Sequence, residues 1–264
     1  MQESGWASTA GAVVAALDTP ALPRALTELL RRVAPFSHTV MFGYCGPAQP
    51  LDLYDDFPPG KRAVFVTDYQ AGPYLLDPFY LAAVAPFEPG LYRLRDVAPD
   101  RFYQGEYYRS YYARTGLAEE IAYFVDLPER TALVLSLMQT ERPFSQRQVQ
   151  ALRAVFPFVA AVAQRHWSGL VRQFGKDRSA EGPSGQPRAL ADDLGSFGAG
   201  LLTPREREVA AYTLKGHSAE SAGQILGISP GTVRIHRRNI YAKLRISSQG
   251  ELFSRFLETL AGRS

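Results

Sequence analysis

The sequence predicts two folds in one chain: an α+β domain over residues 1–175, built as an antiparallel sheet with flanking helices, and an all-α four-helix domain over residues 201–264. Three observations predict this. In the first part β-rich runs separated by turn-forming residues alternate with segments of helical period. In the last sixty-odd residues only the helical period remains, cut by closely spaced start and stop signals. Between them, residues 176–200 are rich in breakers, with Gly182-Pro-Ser-Gly185, Pro187, Gly195, Gly198 and Gly200, and predict a flexible linker.

Residues 1–8 read as a frayed end. Thr9–Leu17 and Ala21–Val33 follow a helical period, the second through Leu22, Leu26, Leu29, Leu30 and Val33. Thr39–Cys45 reads as a strand, Gly46-Pro47 as a turn and Leu51–Tyr54 as its partner strand. Helical segments are expected at about 61–70 and 74–84, then a short strand at Leu91–Leu94. Asp100–Arg114 predicts one aromatic-loaded helix stopped at Gly116. Glu119–Asp126 and Thr131–Gln139 read as strands joined by a turn at 127–130. Ser145-x-x-Gln148 is a capping box that opens a long helix to about Arg172, which Pro157 should kink or divide.

The C-terminal helices have firmer punctuation. Thr203-Pro-Arg-Glu206 is a capping box with proline at the first helical position, and Gly216 ends that helix. Ser218 caps a short second helix carrying Ala222, Ile225 and Leu226. Gly227-Ile-Ser229 leaves room only for a tight turn, so a third helix, capped by Ser229 and begun at Pro230, follows directly as in a helix-turn-helix. Its Val233, Ile240 and Leu244 share one apolar stripe. Arg234, Ile235 and Arg238 fall on a different, mostly cationic face, flanked by His236, Arg237 and Lys243. Such a face suits a DNA major groove, although a solvated basic helix has the same pattern, and the helix-turn-helix context favours the groove. Ser248-x-x-Glu251 reads as a further capping box, opening a fourth helix with Leu252, Phe253, Phe256, Leu257 and Leu260 on its apolar side.

Charge agrees with this division. Residues 203–264 carry ten Lys and Arg against five Asp and Glu, net +5, whereas 1–175 carry sixteen against seventeen, net −1. The positive field therefore sits on the C-terminal domain, as attraction to double-stranded DNA requires. A composition 46% hydrophobic and 21% charged is ordinary for a soluble protein. With no apolar run of membrane-spanning length and no secretory signal, a cytoplasmic location without membrane contact is expected. Cys45 is the sole cysteine, and the four histidines form no pair at helical spacing, so neither disulfides nor a metal site is expected. Motifs for a nucleophile, a phosphate loop or a dinucleotide cofactor are missing as well, which predicts a protein that is not an enzyme and needs no cofactor.

Fourteen tyrosines call for an explanation, because a buried phenol needs a hydrogen-bond partner. Tyr103, Tyr107 and Tyr111 recur every four residues, with Asp77, Glu119 and Glu120 on neighbouring elements. One reading is a ring-walled cavity with a carboxylate, suited to a small ligand bearing an amine or hydroxyls. The other is the core face of an amphipathic helix.

Leu202-Thr-Pro-Arg-Glu-Arg-Glu-Val209, Gly216-x-Ser218, Leu226-Gly-Ile-Ser229, Gly231-Thr-Val-Arg234, His236, Asn239-Ile-Tyr241, Lys243-Leu244 and Ser247-Ser248 with Glu251-Leu252 resemble the DNA-binding domain of LuxR/FixJ (NarL)-type regulators. The resemblance implies that Arg234, Ile235 and Arg238 face bases, that His236, Arg237 and Lys243 meet the backbone, that Thr232 belongs to the same surface, and that the fourth helix serves a homodimer. Ser221-Ala222-Gly223 stands where the family usually has Glu-Ile-Ala. Glycine in a helix interior costs about 1 kcal/mol relative to alanine, which predicts a looser second helix.

The first domain more broadly resembles the GAF/PAS-like ligand-binding half of LuxR-type quorum-sensing receptors. Asp77-Pro78 following Tyr69 is similar to those receptors' Asp-Pro and its upstream aromatics, and Tyr92 stands about where they often carry tryptophan. Trp6 and Trp167 fall elsewhere, which speaks against a standard acyl-homoserine lactone as effector. The resemblance implies a small-molecule sensor, with a ligand-independent dimerisation or protein-contact module as the alternative.

Overall fold

The computed structural model describes residues 3–46, 48–174 and 194–261, so most of the stretch expected as a linker lies outside the described residues. The chain divides into two compact units. One gathers residues 3–62, 82–97 and 117–174, and the other 63–81, 98–116 and 194–261.

The first unit carries a five-stranded antiparallel sheet in the order β2-β1-β5-β4-β3. Its strands are β1 His38–Cys45, β2 Leu51–Asp55, β3 Gly90–Arg93, β4 Glu119–Leu127 and β5 Thr131–Gln139. The expected β4–β5 pair forms a hairpin in which Val125 lies opposite Leu133, turned by Glu129 and Arg130, both in the left-handed region. Alternate residues Ile121, Tyr123, Val125, Leu133, Leu135 and Leu137 meet a buried cluster supplied by helices α1 Glu3–Ala15, α2 Leu22–Val33, α7 Gln146–Ala154 and α8 Phe156–His166. Tyr123 is buried there without an orphan hydroxyl, because its OH donates to the Leu152 carbonyl at 2.8 Å. Leu26, Leu29 and Leu30 are fully buried from α2, so truncating any one to alanine removes about 2–5 kcal/mol. The Ser145 capping box is present, and the long helix divides at Val155, two residues before Pro157.

Several sequence expectations are corrected. Helix α1 begins at Glu3 rather than Thr9. The helical stretch expected at 61–70 is present, though its winding differs: α3, Pro59–Arg62, continues into a π-helix at Ala63–Asp68. The 74–84 segment is a 3-10 turn, Pro73–Leu76, then α4, Pro78–Ala83. Asp77 between them is extended, as a residue before proline is biased to be, and its Oδ1 accepts the Phe79 amide to cap α4. A further short helix, α5, spans Leu94–Val97.

The single helix expected at 100–114 is three pieces: a 3-10 turn at Phe102–Gln104, α6 at Glu106–Ser110 and a 3-10 turn at Tyr112–Thr115. Gly105 is extended between the first two, and Tyr111 departs from helical geometry before the third. The one-face pattern of Tyr103, Tyr107 and Tyr111 is therefore lost: Tyr107 and Tyr111 are buried while Tyr103 is 48% exposed.

The second unit contains α9 Pro204–Lys215, α10 Ala219–Leu226, α11 Pro230–Leu244 and α12 Gln249–Ala261. The start signals act as the sequence predicts. Thr203 and Glu206 form a reciprocal capping box, Ser218 accepts the Ser221 amide at 2.9 Å, and Ser229 accepts the Thr232 amide at 3.0 Å. Gly216 and Gly227 end their helices in the left-handed conformation. At α12 the box is shifted: Ser248 caps the Glu251 amide, but the Glu251 carboxylate returns to the Ser247 amide and hydroxyl.

Val209, Ala210, Leu214, Ala222, Val233, Ile240, Leu244, Leu252, Phe253, Phe256 and Leu260 form the interior of this unit. Leu194 and Phe197, at the end of the expected linker, are also buried, with Phe197 edge-on to Phe256. Gly223 is not a weak point. A β-carbon there would lie 2.7 Å from the Ile228 carbonyl oxygen, so glycine is what lets α10 pack onto the turn.

Candidate nucleic-acid interface and aromatic cluster

Helix α11 is positioned by its apolar stripe: Val233, Ile240 and Leu244 are buried, which fixes the rotation of the helix and leaves Arg234, Ile235 and Arg238 exposed. Ile235, between the two arginines, is 51% exposed and leaves an apolar side chain on the same outward face. Arg234 pairs with the exposed Glu220 of α10. Thr232 is partly exposed, and its hydroxyl is engaged with Ser229.

The flanking cations differ from one another. Arg237 turns inward, with its Nε–H donated to Thr213 Oγ1 at 3.0 Å and its Nη2–H to the His217 carbonyl at 2.7 Å. Burial lowers its pKa. Lys243 is half-exposed and donates to Glu206 Oε2 at 2.6 Å. That same buried carboxylate completes the α9 capping box, and the Lys243 hydrogen bond, ahead of the Thr203 bonds, holds its pKa down. His236 is partly buried, and its Nδ1 has no hydrogen-bond partner among the described residues. Of the expected contact set, Arg234, Ile235 and Arg238 thus form an outward face, and Arg237 and Lys243 brace the helix against α9 and the α9–α10 link. Helical spacing alone gave no sign of the inward turn, because Thr213 and His217 lie on other elements.

The tyrosine cluster is built within the same unit. Tyr69 donates its hydroxyl to Asp77 Oδ2 at 2.7 Å. The Tyr69 ring lies 6.1 Å from that of Tyr74 and 6.5 Å from that of Tyr111, Tyr111 is 5.5 Å from Tyr107, and Tyr74 packs edge-on against Tyr80 at 4.9 Å. Tyr111 donates to the Val64 carbonyl at 2.7 Å. Desolvation pushes Asp77 up to about 6, against the lowering effect of the Tyr69, Phe79 and Tyr80 hydrogen bonds. Tyr74 and Tyr80 are members of this cluster that sequence reasoning missed. Their placement next to Asp77-Pro78 was the available signal.

Tyr92, Glu119 and Glu120 belong to the sheet unit. Tyr92 donates to the Glu88 carbonyl and packs its ring on Phe124. Glu119, expected to orient an amine, has both oxygens engaged: Oε1 by Arg93 at 2.7 Å and Oε2 by the Phe144 amide at 2.7 Å. Arg93 and Glu119 are both buried, so this is a structural ion pair. Glu120 is buried.

An exposed arginine face on the second helix of a helix-turn-helix defines a DNA-binding regulatory module. Residues 200–256 match the family described as "Bacterial regulatory proteins, luxR family". The chain is 31% identical over 186 residues to a putative HTH-type transcriptional regulator of Aeromonas salmonicida, covering 70% of this chain and 94% of the relative. It is 40% identical over 57 residues to the transcriptional regulatory protein UhpA of Escherichia coli, covering 22% of this chain and 29% of UhpA. Among solved structures, the VqsR LBD domain from Pseudomonas aeruginosa matches at a TM-score of 0.54 and 28% identity, covering 61% of this chain and 96% of that domain. The chain belongs to the LuxR family of bacterial transcriptional regulators. Its sheet-bearing fold is that of the LuxR-type ligand-binding domains, as the resemblance of the sequence implied.

Proposed function

We propose that this regulator is a cytoplasmic homodimer that binds a near-palindromic DNA site and is controlled by a small molecule bound at the Tyr69–Asp77 cluster. It has no enzymatic role. The observation that carries the DNA half is the rotation of α11, which buries Val233, Ile240 and Leu244 and turns Arg234, Ile235 and Arg238 outward. Arginine in that position pairs with guanine O6 and N7, the isoleucine suits a thymine methyl, and two copies held by α12 would meet half-sites about 10 base pairs apart. Among the described residues no helix is long and apolar enough to cross a membrane.

The effector half rests on Asp77. A carboxyl group desolvated among aromatic rings is stabilised in its ionised form by an amine, and its Tyr69 partner can be exchanged for a ligand hydroxyl. A thermal-shift screen of amines and polyols on the full chain tests this. A true effector at a hundredfold its dissociation constant stabilises by about 2.7 kcal/mol, and Asp77→Ala abolishes that gain. Stabilisation that survives Asp77→Ala would place the site elsewhere.

One observation favours the ligand-independent alternative. Both Asp77 oxygens already have intrachain partners, as do both Glu119 oxygens. In that reading no compound in the screen changes DNA affinity.

A further inference from the structure

The link between α9 and α10 is only three residues long, Gly216-His217-Ser218, yet it is gripped from two sides. On one side the His217 carbonyl accepts from Arg237, which ties the recognition helix α11 to the link. On the other, Asp100 Oδ1 accepts the Ser218 amide at 3.0 Å, and the Arg101 amide donates to the Gly216 carbonyl at 3.1 Å. The approach is close. A β-carbon on Gly216 would lie 3.1 Å from Phe102 Cα, so glycine is needed there both for its φ of 94° and for this contact. The segment runs on to α12, where the Glu106 carboxyl group lies 3.5 Å from the position a β-carbon on Gly250 would take.

We infer that residues 98–106 form an intrachain lock, docked on the Gly216–Ser218 link and holding the helix-turn-helix out of its DNA-binding state until the segment lifts. The position of Asp100 carries the sign of the effect. In helix-turn-helix complexes the helix preceding the recognition helix crosses the DNA backbone, and helix N-termini are among the groups that contact phosphate. The Ser218 amide, at the N-terminus of α10, is already taken by a carboxylate, so Asp100 occupies with like charge a place where a phosphate oxygen would sit. The Arg101 side chain lies close enough to Arg237 and Glu220 to influence both, which puts this segment beside the DNA-facing helices.

The far end of the lock reaches the tyrosine cluster. Phe102 is 5.8 Å from the Tyr107 ring, Tyr107 is 5.5 Å from Tyr111, and Tyr111 is 6.5 Å from Tyr69, whose hydroxyl holds Asp77. A shift at Asp77 therefore has a contiguous packed route to Gly216. The lock goes beyond the effector reading and is tested without any effector.

The test is DNA affinity of the full chain, measured by fluorescence anisotropy on a site selected from random sequence, together with hydrogen exchange of the link amides. Asp100 is exposed, so Asp100→Ala should fold normally. The lock predicts about fivefold tighter binding for Asp100→Ala, with faster exchange at the Ser218 amide. Asp96→Ala removes an exposed carboxylate four residues earlier and controls for net charge. It should stay within about twofold of wild type. Affinity for Asp100→Ala equal to or weaker than wild type, a gain no larger than that of Asp96→Ala, or unchanged exchange at Ser218 would each overturn the lock.

Discussion

Arg237 holds the carbonyl oxygen of His217 at 2.7 Å, so a cation that sequence spacing placed beside DNA is used to fasten the recognition helix to the link before α10. Arg237→Ala should lower stability by about 1–2 kcal/mol, because a partly buried charged hydrogen-bond pair is lost. Its effect on DNA should be a drop in affinity with an unchanged salt slope, whereas loss of a phosphate contact reduces the slope by about one. Arg237→Lys keeps the charge but not the fork, and should recover little of either. Salt titrations of the three proteins separate the roles.

Lys243 follows similar logic. Removing it leaves Glu206 as a buried carboxylate with only its Thr203 bonds. After discounting for the half-exposed lysine, Lys243→Ala should destabilise by about 1–2 kcal/mol. The double variant Lys243→Ala/Glu206→Gln should be less destabilised than Lys243→Ala alone. Chemical denaturation of the single and double variants checks the ordering.

Gly223→Ala sets two magnitudes against each other. Helix propensity favours alanine by about 1 kcal/mol, but the new β-carbon would meet the Ile228 backbone carbonyl at 2.7 Å, and overpacking costs about 1–3 kcal/mol. Backbone cannot swing aside like a side chain, so the variant should be less stable by about 1 kcal/mol, measured by thermal unfolding.

Asp77 gives a pH dependence with a definite sign. Its pKa in the folded chain, about 6, lies above the ordinary 3.8, so folding favours its protonated form. The stability it contributes is full below pH 3.8 and is lost as pH rises through about 6, a change of about 3 kcal/mol. Asp77→Asn cannot ionise and should flatten the stability profile across that window. A profile for the wild type as flat as for the variant would mean that Asp77 is solvated.

The C-terminal unit was legible in the sequence because its signals are local. Thr203, Ser218 and Ser229 cap the helices they precede, and Val233, Ile240 and Leu244 needed only a period of 3.6 to be placed inside. The strands of the sheet were legible for the same reason. What spacing could not supply was tertiary. The aromatic stretch at 100–114 has a helical pattern, yet Gly105 extends and the run breaks into three, so Tyr103 separates from Tyr107 and Tyr111. Glu119 has the sequence position of a ligand carboxylate, but Arg93, 26 residues earlier in the chain, engages it. Gly223 reads from propensity alone as a defect, whereas the turn it packs against requires it.

Selection from a random DNA pool with the wild-type, Arg234→Ala and Arg238→Ala chains decides whether Arg234 and Arg238 read base pairs from the exposed face of α11. Each variant should still enrich DNA but lose preference at one or two positions per half-site, with discrimination there falling about tenfold. Variants that select the wild-type sequence with undiminished preference at every position would contradict that role.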